Sequence, residues 1–257
     1  MQSVKAYGII DLNYYEKVCP IYGDGRKMMN FDYIHKNFGE LSEEIRSLGK
    51  QYGREITLVS VTKSGSDEEL CALAEAGALD IGENRPGELE RRGKLLSERG
   101  FTPKLHEIGN LQRNKVKLII ESVSLIHSLD TVALAKEIDR QAERVGRCVP
   151  VLIEINSARE EQKGGVLPED AESFLLEVKK FPNLQVMGLM TMGPVVDDPE
   201  EIRPYFKLTK ELFDKLKETC GFVGDGILSM GMSDSYRVAI EAGSTLVRVG
   251  RRLFSKN

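Results

Sequence analysis

An amine at the end of an apolar strand is the first residue in this chain that covalent chemistry can use. In "LVSVTKS", residues 58–64, alternation puts Val59, Val61 and Lys63 on one face and Leu58, Ser60 and Thr62 on the other. If the valine face looks into a core, Lys63 points into its mouth, where apolar crowding favours the free amine that attacks carbonyls. The same pattern also fits a lysine that snorkels to solvent or pairs with a neighbouring carboxylate.

A second cluster lies near the other end of the chain. In "STLVRVGRRLF", residues 244–254, Leu246, Arg248 and Gly250 share a face. Gly250 lets a ligand approach the backbone, and the amides of Gly250 and Arg251 form a cradle for an anion. Just upstream, "SMGMSDSYRVAI" (229–240) supplies Gly231 and Ser233, a candidate helix N-cap whose hydroxyl reaches a phosphate. Each residue has an ordinary alternative: a rim salt bridge for Arg248, a plain cap for Ser233. Taken together, an imine-forming lysine, an arginine and a phosphate cradle fit pyridoxal 5′-phosphate, with its aldehyde on Lys63 and its pyridine nitrogen at Arg248. A cation beside that nitrogen disfavours its protonation and weakens the ring as an electron sink, a poor arrangement for deep carbanion chemistry.

Such a site needs elements that bring residues 63 and 248 together. Phe31, Ile34, Phe38, Leu41, Ile45 and Leu48 recur every three or four residues, which predicts a helix over 31–52. Short β-branched runs follow at 56–62, 79–82, 104–108, 125–129, 149–155, 184–190, 226–230 and 244–250. Helical stretches separate them at 67–77, 84–99, 110–122, 131–145, 168–180, 199–219 and 234–242. Asp67, Asp130 and Pro168 stand near helix starts, and Gly77, Gly146 and Gly243 near ends. Strands alternating with helices predict parallel βαβ units, and eight of them predict a single closed (β/α)8 TIM barrel of α/β class. A doubly wound open sheet is the rival. It favours a G-x-G-x-x-G turn after the first strand, where this chain reads "TKSGSDEEL". Chemistry in a barrel collects at the carboxyl ends of the strands, and strand 8 neighbours strand 1.

Composition narrows the function classes. The 257 residues carry a formal net charge of −4 with no sustained basic run, which argues against extended contact with nucleic acid or an anionic membrane. Cys19, Cys71, Cys148 and Cys220 are far apart with no C-x-x-C pair, which argues against a zinc site or a disulfide framework and suits a reducing cytosol. No apolar run approaches the ~20 residues that span a bilayer, and no signal peptide opens the chain. The expected location is cytoplasmic. Residues 1–29 mix Tyr, Gly and charge without a period and read either as an N-terminal extension packed on the surface or as upstream sequence before a start near Met28 or Met29, with the barrel domain over 30–257.

From about residue 31 to 254 the chain resembles the pyridoxal phosphate homeostasis protein family, also called the YggS/PROSC family. The matching segments are "VSVTK" (59–63), "GEN" (82–84), "HEIGNLQRNK" (106–115), "HSLD" (127–130), "VLIEIN" (151–156), "KGG" (163–165), "GLMTM" (188–192), "SMGMSDS" (229–235) and "AIEAGSTLVRVG" (239–250). The resemblance implies a barrel like the N-terminal domain of alanine racemase, holding pyridoxal 5′-phosphate as an aldimine on Lys63. It implies Arg248 at the ring nitrogen, Asn84 beside the ring, Met232 lining the phosphate loop, and Ser233, Gly250 and Arg251 on the phosphate. It implies no direct cofactor contact for His106, Asn110, Gln112, Asn114 or Lys115, and a buried, hydrogen-bonded His127. One departure stands out: "VGRRLF" places Arg251 and Arg252 where the family carries small residues, which puts extra anion contacts in question.

The implied role is vitamin B6 homeostasis, in which the protein buffers the cofactor or delivers it to apoenzymes as a monomer or weak homodimer, without turnover. The alternative is a racemase-like enzyme. Racemases of this fold type add a β-domain and take a tyrosine from a partner subunit, whereas this chain ends seven residues after Gly250. A cofactor-free Schiff-base aldolase is a third reading, with the cradle holding a sugar phosphate.

Overall fold

In the computed structural model, which describes residues 31–160 and 162–256, eight parallel strands close into a barrel in sequence order. The proposed extension at 1–29 and Cys19 lie outside the described residues. The chain enters through α1 (Asp32–Gln51) and continues with β1 (Thr57–Val61), α2 (Asp67–Glu75), β2 (Asp80–Glu83) and α3 (Pro86–Glu98). Next come β3 (Lys104–Glu107), α4 (Val116–Ile119), β4 (Val123–Leu129), α5 (Val132–Arg144) and β5 (Val149–Glu154). The last third holds α6 (Ala171–Val178), β6 (Leu184–Met190), α7 (Arg203–Thr219), β7 (Ile227–Ser229), α8 (Tyr236–Glu241) and β8 (Leu246–Val249). Single 3₁₀ turns precede α4, α6 and α7.

Each strand buries two faces, which explains its near-continuous apolar run. One face fills the barrel interior, where Val59, Leu125, Leu152, Met190 and Leu246 form a compact cluster. The other faces the helices, where Ile81, Leu105, Ile126, Val151 and Val247 join the larger core with Leu70, Leu89 and Ile138. The amphipathic stripe of α1 buries Ile34, Leu41 and Ile45. Its polar side reaches both ends of the chain's closure: Tyr33 donates to Glu69 on α2, and Glu44 accepts from Tyr236 and Arg237 on α8.

Local signals place the helices. Ser66 caps α2 through a reciprocal box with Glu69, one residue before the expected Asp67, and Thr131 caps α5 by accepting from the Leu134 amide. Gly77, Gly146 and Gly243 take positive φ after α2, α5 and α8, as expected of helix ends. The expected helix at 110–122 shrinks to a 3₁₀ turn and the short α4, because Gln112 is extended (ψ 138°) and holds the preceding loop out of helix.

Closure puts β1 against β8 in the register Val59↔Arg248 and Ser60↔Val249. The β7–β8 pairing is short, Ser229↔Leu246, and the buried Ser244 hydroxyl lies within 3.0 Å of the carbonyls of Leu228, Met230 and Leu246 beside it.

Candidate functional site

Arg248 sits inside the barrel, 4 % exposed, with the same inward alternation as Leu246 beneath it. Its Nη1 donates to Ser229 Oγ (2.5 Å) and its Nη2 to the Thr191 carbonyl (3.1 Å). Burial pulls the guanidinium down to about 10, with the nearby Glu154 carboxylate acting in the opposite sense. It remains a cation at neutral pH. The rim salt bridge that the sequence also allowed is not what the structure has.

One level higher, Gly250 lies against β1. A Cβ there would come within 2.9 Å of the Val61 carbonyl oxygen, so the backbone approach that makes the cradle excludes any side chain. The Gly250 amide lies 3.3 Å from Ser233 Oγ, to which it donates, so the loops after β7 and β8 converge. Gly231 shapes the first of these loops. Its φ of 93° is a left-handed value, and a Cβ would meet Tyr236 Cα at 2.9 Å. Among the described residues the amides of Ser233 and Arg251 find no acceptor. Solvent-accessible backbone donors beside a glycine cradle fit a phosphate. Ser233 is not the expected cap: Ser235 occupies the N-cap position of the six-residue α8, and its hydroxyl accepts from the Met232 amide.

Lys63 is one residue past the expected strand end, in an exposed turn. The strand stops because the Thr62 carbonyl turns to accept from the Gly65 amide (2.9 Å) instead of continuing the ladder. Apolar walls therefore do not crowd this lysine. What fixes it is polar. Arg92 of α3, buried behind the barrel wall, donates to the carbonyls of Thr62 and Gly65, which flank Lys63. Glu83 at the end of β2 accepts from Arg92 (2.7 Å) and from the Thr62 hydroxyl (2.5 Å). Asn84 follows directly, exposed at the rim of the neighbouring strand.

Below Arg248, polar side chains run through the barrel interior. Ser229 Oγ is 3.1 Å from His127 Nδ1, His127 Nε2 is 3.0 Å from His106 Nδ1, and His106 Nε2 is 2.9 Å from Asp80 Oδ1. His127 is fully buried and well below the usual histidine range, held there by burial first and then by its electrostatic interactions with His106 and Arg248. Across the mouth, Glu154 ends β5 at 7 % exposure. Burial first, and the Asp130 charge second, push its carboxyl up to about 7, against the pull of Arg248.

The profile of the family described as "Alanine racemase, N-terminal domain" matches residues 37–257. The pyridoxal phosphate homeostasis protein of Aquifex aeolicus is 40 % identical over 199 residues, covering 77 % of this chain and 86 % of that protein. Its Helicobacter pylori counterpart is 34 % identical, covering 88 % of this chain and 99 % of that protein. The chain belongs to the pyridoxal phosphate homeostasis protein family. Among solved structures, PipY of Synechococcus elongatus with pyridoxal phosphate bound superposes with a TM-score of 0.75 at 26 % identity, covering 86 % of this chain and all of that one. Clostridium difficile alanine racemase shares the fold (TM-score 0.67, 20 % identity), and this chain covers 60 % of its length.

Within this homeostasis family member, the seven residues singled out from the sequence divide into groups. Gly250 lies on the seam between β1 and β8 and donates to Ser233 of the loop after β7, while the Arg248 guanidinium sits inside the barrel on Ser229 and Thr191. Lys63 and Asn84 stand on the rims of adjoining strands, and Met232 is 39 % exposed beside Ser233. The Arg251 guanidinium pairs with Asp234 at the surface, and its amide follows Gly250 at the cradle. Arg252 is committed to Glu44 (2.8 Å) and to the Tyr236 hydroxyl. The two unusual arginines thus staple the chain's end to α1, to α8 and to the loop before α8. His127 is buried and hydrogen-bonded, as expected. Sequence reasoning missed Arg92, Glu83, Ser229, Thr191 and Glu154. Alternation in "VLIEI" marks Glu154 as inward with Leu152; nothing in "ELERRGK" singles out Arg92.

Proposed function

We propose that this protein binds pyridoxal 5′-phosphate as a Schiff base on Lys63 and serves cellular vitamin B6 homeostasis by holding the cofactor and passing it to apoenzymes. The observation that carries this reading is the seam itself. A clamped lysine turn on β1 adjoins a glycine cradle and a buried guanidinium on β8, in a family member with a relative solved with the cofactor bound. The cofactor supplies an aldehyde for covalent capture and a ring that can delocalise charge. The chain supplies the rest. Lys63 provides the amine, the loops at 231–233 and 250–251 donate to the phosphate, Arg248 faces the ring nitrogen, and Asn84 and Met232 flank the ring. A permanent cation at the ring nitrogen keeps that nitrogen unprotonated, which limits carbanion chemistry and suits storage over turnover.

Glu154 favours a second reading. In an eight-stranded barrel β5 stands opposite β1, and a group near neutrality at the end of β5 would move a proton on the side of a bound ring away from Lys63. That is the arrangement a racemase-like activity needs. The deciding experiment has two parts. Protein incubated with pyridoxal phosphate should turn yellow, and borohydride followed by peptide mapping should put the pyridoxyl mass on Lys63, whereas Lys63→Ala should retain only weak, untrapped cofactor. Single amino-acid enantiomers in deuterated water should then show no sustained α-proton exchange. A pyridoxyl adduct on another lysine defeats the binding reading, and many-turnover exchange replaces the carrier with the enzyme.

A further inference from the structure

The barrel interior holds more polar side chains than a cofactor contact requires. Asp80, His106, His127, Ser229 and Arg248 form one hydrogen-bonded line, crossing from the start of β2 through β3, β4 and β7 to β8. Its ends have fixed roles: the guanidinium can only donate, and an ionised carboxylate can only accept. Ser229 has a single proton and lies between Arg248 and His127. With Arg248 donating to its oxygen, the serine proton has one neighbour left to receive it among the described residues, His127 Nδ1. His127 then donates from Nε2 to His106 Nδ1, and His106 donates from Nε2 to Asp80. Every donor and acceptor on the line is used once.

The opposite direction fails on this count. If His106 donated to His127, His127 would donate to Ser229, and the serine oxygen would receive from both sides. Its own proton would then have no partner at a residue with 0 % exposure.

We propose that His106 and His127 are positioning residues that act on the cofactor through Ser229. By taking the serine proton they keep its oxygen turned to Arg248, so the guanidinium is held by Ser229 and the Thr191 carbonyl in one orientation toward the ring. The directional part rests on geometry alone; the effect on the cofactor rests on the reading that Arg248 faces its ring nitrogen. Asp80, 19 % exposed, anchors the far end of the line.

Two measurements test this. Nitrogen-15 NMR of the unmodified, cofactor-free chain at neutral pH should find both histidines as neutral Nε2–H tautomers. An Nδ1–H tautomer or an imidazolium at either ring overturns the proposal, whatever any variant does. With pyridoxal phosphate loaded, His127→Phe should still yield the trapped adduct on Lys63 but shift the visible band and release the cofactor about tenfold faster, the loss of one charge-assisted hydrogen bond. His127→Gln, whose amide accepts from Ser229 and donates to His106, should stay within about twofold of the parent because the line is preserved. A folded His127→Phe with unaltered band and release rate refutes the positioning role. Failure of the parent itself to trap pyridoxyl on Lys63 refutes the binding reading instead, and leaves the tautomer result to judge the line.

Discussion

Replacing Arg92 with Met probes the element that presents Lys63. The side chains of Arg92 and Glu83 are 8 % and 1 % exposed, and their ion pair is 2.7 Å long. Arg92→Met leaves the Glu83 carboxylate buried with the Thr62 hydroxyl as its remaining hydrogen-bond partner, and it strips the carbonyls of Thr62 and Gly65 of their donor. Stranding a buried charge costs about 3–5 kcal/mol, and the lost carbonyl bonds overlap with that figure. Glu83→Gln is the milder half of the pair. Arg92 keeps both carbonyls, and Asp67 and Glu88 still stand 3.9 and 3.8 Å from its Nε, so the expected loss is about 1–2 kcal/mol. The double variant removes the stranded charge and should recover most of the stability without restoring the clamp. Urea midpoints read the stability, and the rate of borohydride-trapped adduct formation reads the lysine turn. The expected order is parent, Glu83→Gln, double variant, Arg92→Met in stability, with both Arg92 variants slow in trapping. An Arg92→Met protein within about 1 kcal/mol of the parent, or a Glu83→Gln more damaging than it, refutes the clamp.

Glu107 offers a pH test with a definite sign. It is fully buried, accepts from the Gly109 amide with one oxygen, leaves the other unpaired, and is pushed up to about 8 by burial. A carboxyl raised on folding contributes most below its unfolded value near 4.5, and that contribution is lost as pH rises through about 8. Glu107→Gln should therefore match the parent's urea midpoint at acidic pH and exceed it in mild alkali; an equal gain at both ends contradicts the assignment. At the cradle, Gly250→Ala forces a Cβ against the Val61 carbonyl, and the expected result is a rise of at least about tenfold in the pyridoxal phosphate concentration needed for half-saturation. Unaltered saturation would place the phosphate elsewhere.

The barrel was legible because its strands announce themselves. The run at 184–190 forms a strand over those residues, and the other seven overlap their predicted spans to within two residues at either end. Gly250 and Arg248 could be read from alternation, since a strand's period sends every second side chain inward. Lys63 could be found but its surroundings could not. Its environment is decided by Arg92, which is distant by 29 positions on another element and carries no local mark of its role. The same holds for the line from Asp80 to Arg248, whose members lie on five strands and meet only once the barrel closes. Arg251 and Arg252 were legible as an oddity, yet their use depends on Asp234, Glu44 and Tyr236, which only the fold brings near.

The β1–β8 seam joins the opening of the barrel to its finish, and the cofactor contacts proposed on Lys63 and Gly250 lie on either side of it. A growing chain carries its lysine long before the partner strand exists, so capture by both halves must wait until synthesis of the barrel is nearly over. A small molecule held this way is a clasp. Its retention reports that the cylinder is shut, and any loosening between the first and final staves lets it go.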